Sequence, residues 1–413
     1  MDRTVTEHLA AVLALVPASR PNRRLDVRAA HGHVLATDCP ARLPVPPFSN
    51  SAMDGFLVHS SDVRGTGPWT LPVLGDVPAG AAPRQLEPGG ALRIMTGAPI
   101  AGDPAALRVV PVEDTDVPPG PAALPDSVTV HHVRETRTHI RLAGENIDVG
   151  GPALSAGTVL DSGAVAAAVS CGITGVEVYR RPRVAVISSG DELLAPGVIP
   201  GPGQLPDSNR AMLAALLTEH GVTEVTDVHS ADAAPGLRGL LEELTRDHDL
   251  VLTTGGVSVG AFDVVREVTE PAGVWFGTVA QRPGQHQGAG RWNGVPVLCL
   301  PGNPVAAFVS FLLYVPPLLR AMAGHAPQAG LWTRPHVSAL LAGDGLPAAP
   351  SRSVLAPVSL SYSEAGVTAA PFDRRGGSHM VASLAGTDGL AVIPPGEHRP
   401  APGDPVRVLL RLG

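Results

Sequence analysis

The chain has 413 residues, 44% hydrophobic and 16% charged, with a formal net charge of -8. It is too long for one ordinary core and too apolar for disorder, so several domains are expected, and its net charge offers no global field for nucleic acid. Only 3% of residues are aromatic against 47 glycines and 43 prolines, so the cores have to be built from Ala, Val and Leu between many turns.

Thr4 and Glu7 have capping-box spacing ahead of Val5, Leu9, Val12 and Val16, which predicts a short amphipathic opening helix. From Ala41 to about Asp116, brief apolar runs (FLV, WTLPVL, ALRIM, LRVVPVE) punctuated by Pro and Gly predict small β-rich structure, with PPGPAALPDS as a loop at its edge. Between Arg183 and Gly324 strands alternate with helical segments. RVAVI, EVTDVHS, LVLTT and VPVLCL read as strands, and Asp207 or Ser208 caps a helix through MLAALLTEH that stops at Gly221. That alternation implies parallel strands with the ligand crevice at their carboxyl ends. After about Pro327, SVLAPVSLS, GVTAAP, GLAVIPP and PVRVLLRL predict a small terminal β-domain. The expected division is 1–40 with 137–180 as a linker and dimerisation domain, 41–136 as an inserted β-rich domain, 181–326 as the α/β domain and 327–413 as the C-terminal β-domain.

Cys39, Cys171 and Cys299 are too few and too scattered for a disulfide framework or a zinc site, which fits a reducing compartment. MDRTVTEHLA lacks the pattern of a secretory leader, and the chain has no uninterrupted membrane-length apolar run. A cytoplasmic protein with neither membrane nor nucleic-acid partner is expected.

Three segments of the central part share one design: RVAVISSGDEL (183–193), LVLTTGGVSVGAFD (250–263) and VPVLCLPGNPVAAF (295–308). In each, a buried strand runs into small residues whose backbone N–H groups can approach an anion, with a following helix pointing its positive end there. One such turn by itself reads better as a tight connection; three in one α/β unit reverse that and point to a phosphate site. Carboxylates beside phosphate loops repel the anion unless a divalent cation intervenes, so Asp191, Glu192, Asp207 and Asp263 suggest magnesium. The plainer reading makes Asp207 a helix cap and Glu192 a solvated loop residue.

PPFSNSAMDGF (46–56) and RIMTGAP (93–99) carry Ser49, Asn50, Ser51, Asp54 and Thr96 on turn-like text, and composition alone reads them as locally satisfied turns. His31 with His33, and His131 with His132, lack further ligands at metal spacing and read as ordinary histidines.

Taken in order, SNSAMDG, GDVPAG, RIMTGAP, RLAGENI, SSGDEL, DSN, TTGGVSVGAFD and PGNPVAAF resemble the MoeA family, which includes a domain of gephyrin, from about residue 5 to the end. The resemblance implies a multidomain α/β and β protein. Its central parallel α/β domain would be similar to molybdopterin adenylyltransferase, between β-rich N-terminal domains and a small C-terminal β-domain. It implies a homodimer that takes adenylylated molybdopterin and molybdate, needs a divalent cation and releases AMP with the molybdenum cofactor. A molybdoenzyme or the adenylyltransferase is an expected partner. Substrate binding would fall to Ser188, Ser189, Gly190, Asp191, Asp207, Thr254, Gly255, Gly256, Ser258, Gly260, Arg282, Pro301, Gly302, Asn303 and Pro304, and metal binding to Asp191, Glu192 and Asp263. Asp54 and Thr96 would complete the site from the dimer partner and, with Glu192 and Asp263, form the catalytic set.

The text departs from the family at AQRPGQHQGAG (280–290), where two lysines are usual around the proline-glycine. The chain has no lysine: all 30 basic residues are arginine. Arg282 stands for the first lysine and Gln285 for the second. Near a surface, two unit charges ~4 Å apart interact by on the order of 4 kcal/mol before solvent exchange, so Gln285 removes a substantial attraction for a polyanion. His286, when protonated, would return part of it. The reading is thus an active insertase, with a non-catalytic molybdopterin-binding or scaffold protein, and a molybdopterin adenylyltransferase, as alternatives.

Overall fold

The computed structural model describes residues 2–134, 136–257, 263–343, 345–348, 350–371, 380–396 and 399–411. The chain divides into two compact units, one made of Met1–Asn22 with Tyr179–Gly413 and the other of Arg23–Val178.

The alternating text of the first unit folds as a six-stranded sheet in the order Val225–Ser230, Val184–Ser189, Leu250–Thr254, Val295–Leu300, His286–Trp292, Trp275–Thr278. The first four strands run parallel, and each of the last two runs antiparallel to the strand before it. Strands covered on both faces need apolar side chains in both directions, which is why RVAVI and LVLTT read as continuous rather than alternating. Val184, Val186, Leu250, Leu252 and Leu298 pack on one face with helices Ser208–Glu219 and Pro304–Met322. Ala185, Ile187, Val251, Val297 and Cys299 pack on the other with helix Ala234–Asp247.

From Val184–Ser189 the chain passes first to the strand on one side, Val225–Ser230, and then to the strand on the other, Leu250–Thr254. This reversal opens a crevice at the carboxyl ends of Val184–Ser189 and Leu250–Thr254, where α/β sheets receive ligands.

The capping box predicted at Thr4 and Glu7 is present, and helix Val5–Leu13 buries Val5, Leu9 and Val12 in the same core. His8 is buried between Trp275 and Tyr314, and that burial, helped by Arg3, pushes its imidazole down to about 3.

Helix Pro304–Met322 is long and apolar enough to cross a membrane, yet 94% of its apolar window is buried inside the protein. Pro316 and Pro317 lie within it. Pro317 has no N–H for the carbonyl of Leu313, and the guanidinium of Arg334, itself buried, donates to that carbonyl at 3.2 Å instead.

The C-terminal runs form a closed ring of five strands: Ser353–Ser363, Gly366–Pro371, His336–Leu341, Pro405–Leu410 and Gly389–Ile393, the last returning to the first. A sixth short strand, Gln281–Arg282, adds in parallel at Ser353 and Val354.

In the second unit a five-stranded sheet runs in the order Leu107–Pro111, Gly55–His59, Ala91–Ile94, Trp69–Val77, Ser127–Val130. It is buried on both faces, by Leu57, Leu92 and Ile94 on one and by Phe56, Val58 and Val128 on the other. A separate small core joins Val27, Leu35, Leu160 and Val176 to helix Ser162–Ser170, which Asp161 caps. Cys39, Cys171 and Cys299 are each buried as unpaired thiols; complete burial raises Cys299 to about 12.

Candidate functional site

The three glycine-bearing segments end side by side at the crevice. In the first, Ser188 is fully buried and its hydroxyl donates to Asp207 Oδ2 at 2.6 Å. Asp207, 3% exposed, also accepts from Arg210 N at 3.1 Å and Arg210 Nε at 2.9 Å, so it caps its helix and is neutralised there. Arg210 reaches Asp227 at 3.3 Å as well. The cap reading of Asp207 is therefore the one its contacts support, and Ser188 and Asp207 lie beneath the loop.

Ser189 donates to Asp232 Oδ1 at 2.7 Å. Asp232 N donates to Asp191 Oδ1 at 3.0 Å, and Asp191 N to Asp232 Oδ2 at 3.3 Å. Sequence reading passed over Asp232; its signal was a carboxylate just beyond the neighbouring parallel strand. Gly190 has φ +149°, and a Cβ there would stand 2.6 Å from a carboxylate oxygen of Glu192. This segment departs from expectation in one respect. No helix follows it directly: Leu193–Leu194 pairs with Leu205–Pro206, and the next helix starts only at Ser208.

In the second segment Gly255 has φ +94°, and a Cβ there would lie 2.9 Å from the carbonyl of Ser189, so only glycine lets the first two loops close on each other. Gly256 is likewise at positive φ, against Val265. Ser258 and Gly260 lie outside the described residues. Asp263 occupies the N-cap position of helix Val264–Thr269.

The third segment closes against the second. Thr254 Oγ1 donates to the carbonyl of Pro301 at 3.1 Å, and Gly302 backs onto Gly255. Asn303 is the N-cap and Pro304 the first residue of helix Pro304–Met322, which aims the positive end of a long helix at this corner.

Among the described residues, no three His, Cys, Asp or Glu side chains gather as a metal site. Asp191, Glu192 and Asp263 therefore form no cation cage built of protein alone. A magnesium ion would have to take the rest of its oxygens from phosphates and water, as magnesium commonly does.

The divergent segment at 280–287 is anchored from within. Gln281 is buried, accepts the Tyr314 hydroxyl and donates to the carbonyl of Pro283 at 3.0 Å. Gln287 donates to Gly284 O and Ser310 Oγ, both at 2.7 Å. Between these anchors Arg282 is exposed, while the Gln285 amide nitrogen lies 2.9 Å from His286 Nε2 and its oxygen is buried without a donor among the described residues. Pairing of Gln281–Arg282 with Ser353 and Val354 ties the segment to the C-terminal ring.

In the second unit the fold joins two motifs 42 residues apart. Ser51 N donates to Ala98 O at 3.0 Å and Gly97 N to Ser51 O at 2.8 Å, which sets SNSAMDG beside MTGAP. At the end of that pairing Asp54 Oδ1 accepts both the Thr96 N–H, at 2.7 Å, and the Thr96 hydroxyl, at 2.8 Å. The Thr96 N–H first and its hydroxyl second hold the Asp54 carboxyl below the usual range. Asp54 is exposed and makes no described ion pair, so it presents an anionic oxygen to solvent. Asn50 Nδ2 donates to Phe48 O and Ser51 Oγ to Met53 O, both two residues away, while Ser49 Oγ accepts from the distant Ala143 N. The turn reading holds only in part: Asn50 and Ser51 form a short strand against Arg141 and Ile140, the Ser49 partner lies 94 residues on, and Asn50 Oδ1 is buried without a donor among the described residues.

The family models for the "MoeA N-terminal region (domain I and II)", the "Probable molybdopterin binding domain" and the "MoeA C-terminal region (domain IV)" match residues 3–172, 185–321 and 339–410. The chain is 39% identical to "Molybdopterin molybdenumtransferase 2" of Mycobacterium tuberculosis over 82% of its length and 83% of the relative's. It is 32% identical to the molybdopterin molybdenumtransferase of Nostoc sp. over 93% and 88%. A crystal structure of a molybdopterin biosynthesis moea protein from Pyrococcus horikoshii superposes with a TM-score of 0.80 at 28% identity, covering all of both chains.

Proposed function

The chain belongs to the MoeA family, and from that premise we propose that it inserts molybdate into adenylylated molybdopterin and releases AMP. The observation that carries this reading is the meeting of three glycine-bearing loops at the crevice where the sheet order reverses. Gly190, Gly256, Gly302 and Asn303 offer donors there to the pyrophosphate and pterin, with Ser189 and Gly255, whose own donors go to Asp232 and Leu300, shaping the first two loops and Pro301 and Pro304 the third. Ser258 and Gly260 are assigned to the same role from the motif. Ser188, Asp207 and Thr254 act from beneath by fixing the loops.

Molybdate supplies the oxygens and the dithiolene supplies the nucleophiles, so the protein's part is positioning and charge compensation. Asp191, Glu192 and Asp263 would hold a divalent cation, which would offset the charge of the substrate's phosphates, and Arg282 would offset the remaining negative charge. Asp54, ionised and oriented by Thr96, serves the reaction centre. We assign this pair to a cleft of a second copy of the chain, which makes the homodimer the active form and residues 1–40 with 137–180 its dimerisation domain. We place the enzyme in the cytoplasm.

The test is AMP release from adenylylated molybdopterin with magnesium, titrated with molybdate and followed by reconstitution of a cofactor-free molybdoenzyme. Molybdate-dependent release with reconstitution is expected. Binding without release would instead make the chain a molybdopterin-binding protein, and a requirement for ATP with unmodified molybdopterin would make it an adenylyltransferase. The match over residues 3–172 favours neither alternative.

A further inference from the structure

The tripeptide Asp207–Ser208–Asn209 touches all three loops. Asp207 receives the Ser188 hydroxyl of the first. Asn209, 9% exposed, directs Nδ2 to Thr254 Oγ1 in the second at 2.9 Å and to the carbonyl of Gly302 in the third at 2.6 Å. A carbonyl can only accept, so the amide nitrogen has to face Gly302. Thr254 passes its one proton to Pro301 O, so it too receives from Nδ2. The two amide protons are therefore divided between two loops. Asn209 Oδ1 remains buried and meets no donor among the described residues. The amide is thus oriented by the two loops that its nitrogen reaches rather than by a donor for its oxygen.

Resting on the function proposed above, we propose that Asn209 is a positioning residue. It fixes the separation of the second and third loops so that both engage the pyrophosphate-bearing substrate at once. It touches no reacting atom; it acts through Thr254 and Gly302.

The test combines hydrogen exchange of the full-length protein with calorimetric titration of adenylylated molybdopterin, on wild type, Asn209→Ala, Asn209→Asp and Thr254→Val. Asn209→Asp keeps the size but has no donors, and Thr254→Val removes the Thr254 arm of the bridge, together with the Thr254–Pro301 bond, should both Asn209 variants fail to fold. The expected result is exchange about tenfold faster at 255–257 and at 302 and 303. Exchange at 188–193, held by Asp207, should be unaltered, and affinity for the substrate should fall about tenfold. Leu237→Ala, a core variant on the Ala234–Asp247 helix, should lower thermal stability without either local change. Unaltered exchange in a folded Asn209 or Thr254 variant would overturn the bridge. Loosened loops with wild-type affinity would overturn the positioning role and leave the function standing. Wild-type protein that binds no substrate would overturn the function, and the substrate role of Asn209 with it, whatever the exchange shows.

Discussion

Two regions of this molecule carry acidic side chains on turns, and they use them in opposite ways. In the central loops Asp207 is buried under Ser188 and Arg210, while Asp191 and Asp232 hold each other's backbone. In the N-terminal unit Asp54 is exposed and receives two bonds, both from Thr96 and both on one oxygen. The first arrangement uses carboxylates to shape a loop, Asp191 through one of its two oxygens. The second holds a carboxylate ionised and leaves it accessible. Similar motif text thus encodes scaffolding in one place and presentation in the other, and the hydrogen-bond partners tell them apart.

The contrast is open to direct attack. Asp54→Ala should remove most molybdate-dependent turnover, roughly a hundredfold or more, with thermal stability within a degree or two of wild type. Normal turnover, or a large loss of stability, would erase the distinction. Asp207→Ala should do the reverse. Removing a buried, paired cap costs about 3 kcal/mol, readable as a lowered midpoint in urea, with activity in the remaining folded protein reduced less than in Asp54→Ala. Thr96→Val keeps the backbone donor and loses the hydroxyl. The Asp54 carboxyl, held low in the wild type, should then rise toward its ordinary value, so its ionised form is lost at a higher pH and the acid limb of the rate profile moves upward. An unmoved limb would mean that Asp54 does not govern it. The smallest effect is expected at Gln285→Lys. Restoring the charge should lower the molybdate concentration needed for half-maximal rate a few-fold. That gain is limited because the Gln285 amide is turned inward toward His286.

The strands and helices of the central domain were legible because burial on both faces leaves unbroken apolar text, and because Thr4, Glu7 and Asp207 are cap residues at cap spacing. The three loops were legible for a related reason: Gly255 and Gly302 stand where a Cβ would meet a neighbouring loop. Asp232 was not, because its partners Ser189 and Asp191 come from an adjacent strand some 40 residues earlier and no local pattern records that neighbour. Asn209 sat inside a quoted motif, but its link to Thr254 and Gly302 needs the sheet order to be seen. The absence of a helix directly after the first loop was also invisible, since Leu193–Leu194 gains a partner only from Leu205–Pro206. Closure of the C-terminal ring escaped for the same reason: each run signals a strand, and none signals which strand it meets.

That closure has a consequence for how the domain behaves in company. Each of its five strands has a partner on both sides, although His336–Leu341 and Gly366–Pro371 share only two residue pairs, so among the described residues the ring has no wholly unpaired edge strand. The ring is therefore a poorer seed for fibrillar growth than an open sheet, and the one added strand, Gln281–Arg282, reaches only its end at Ser353 and Val354.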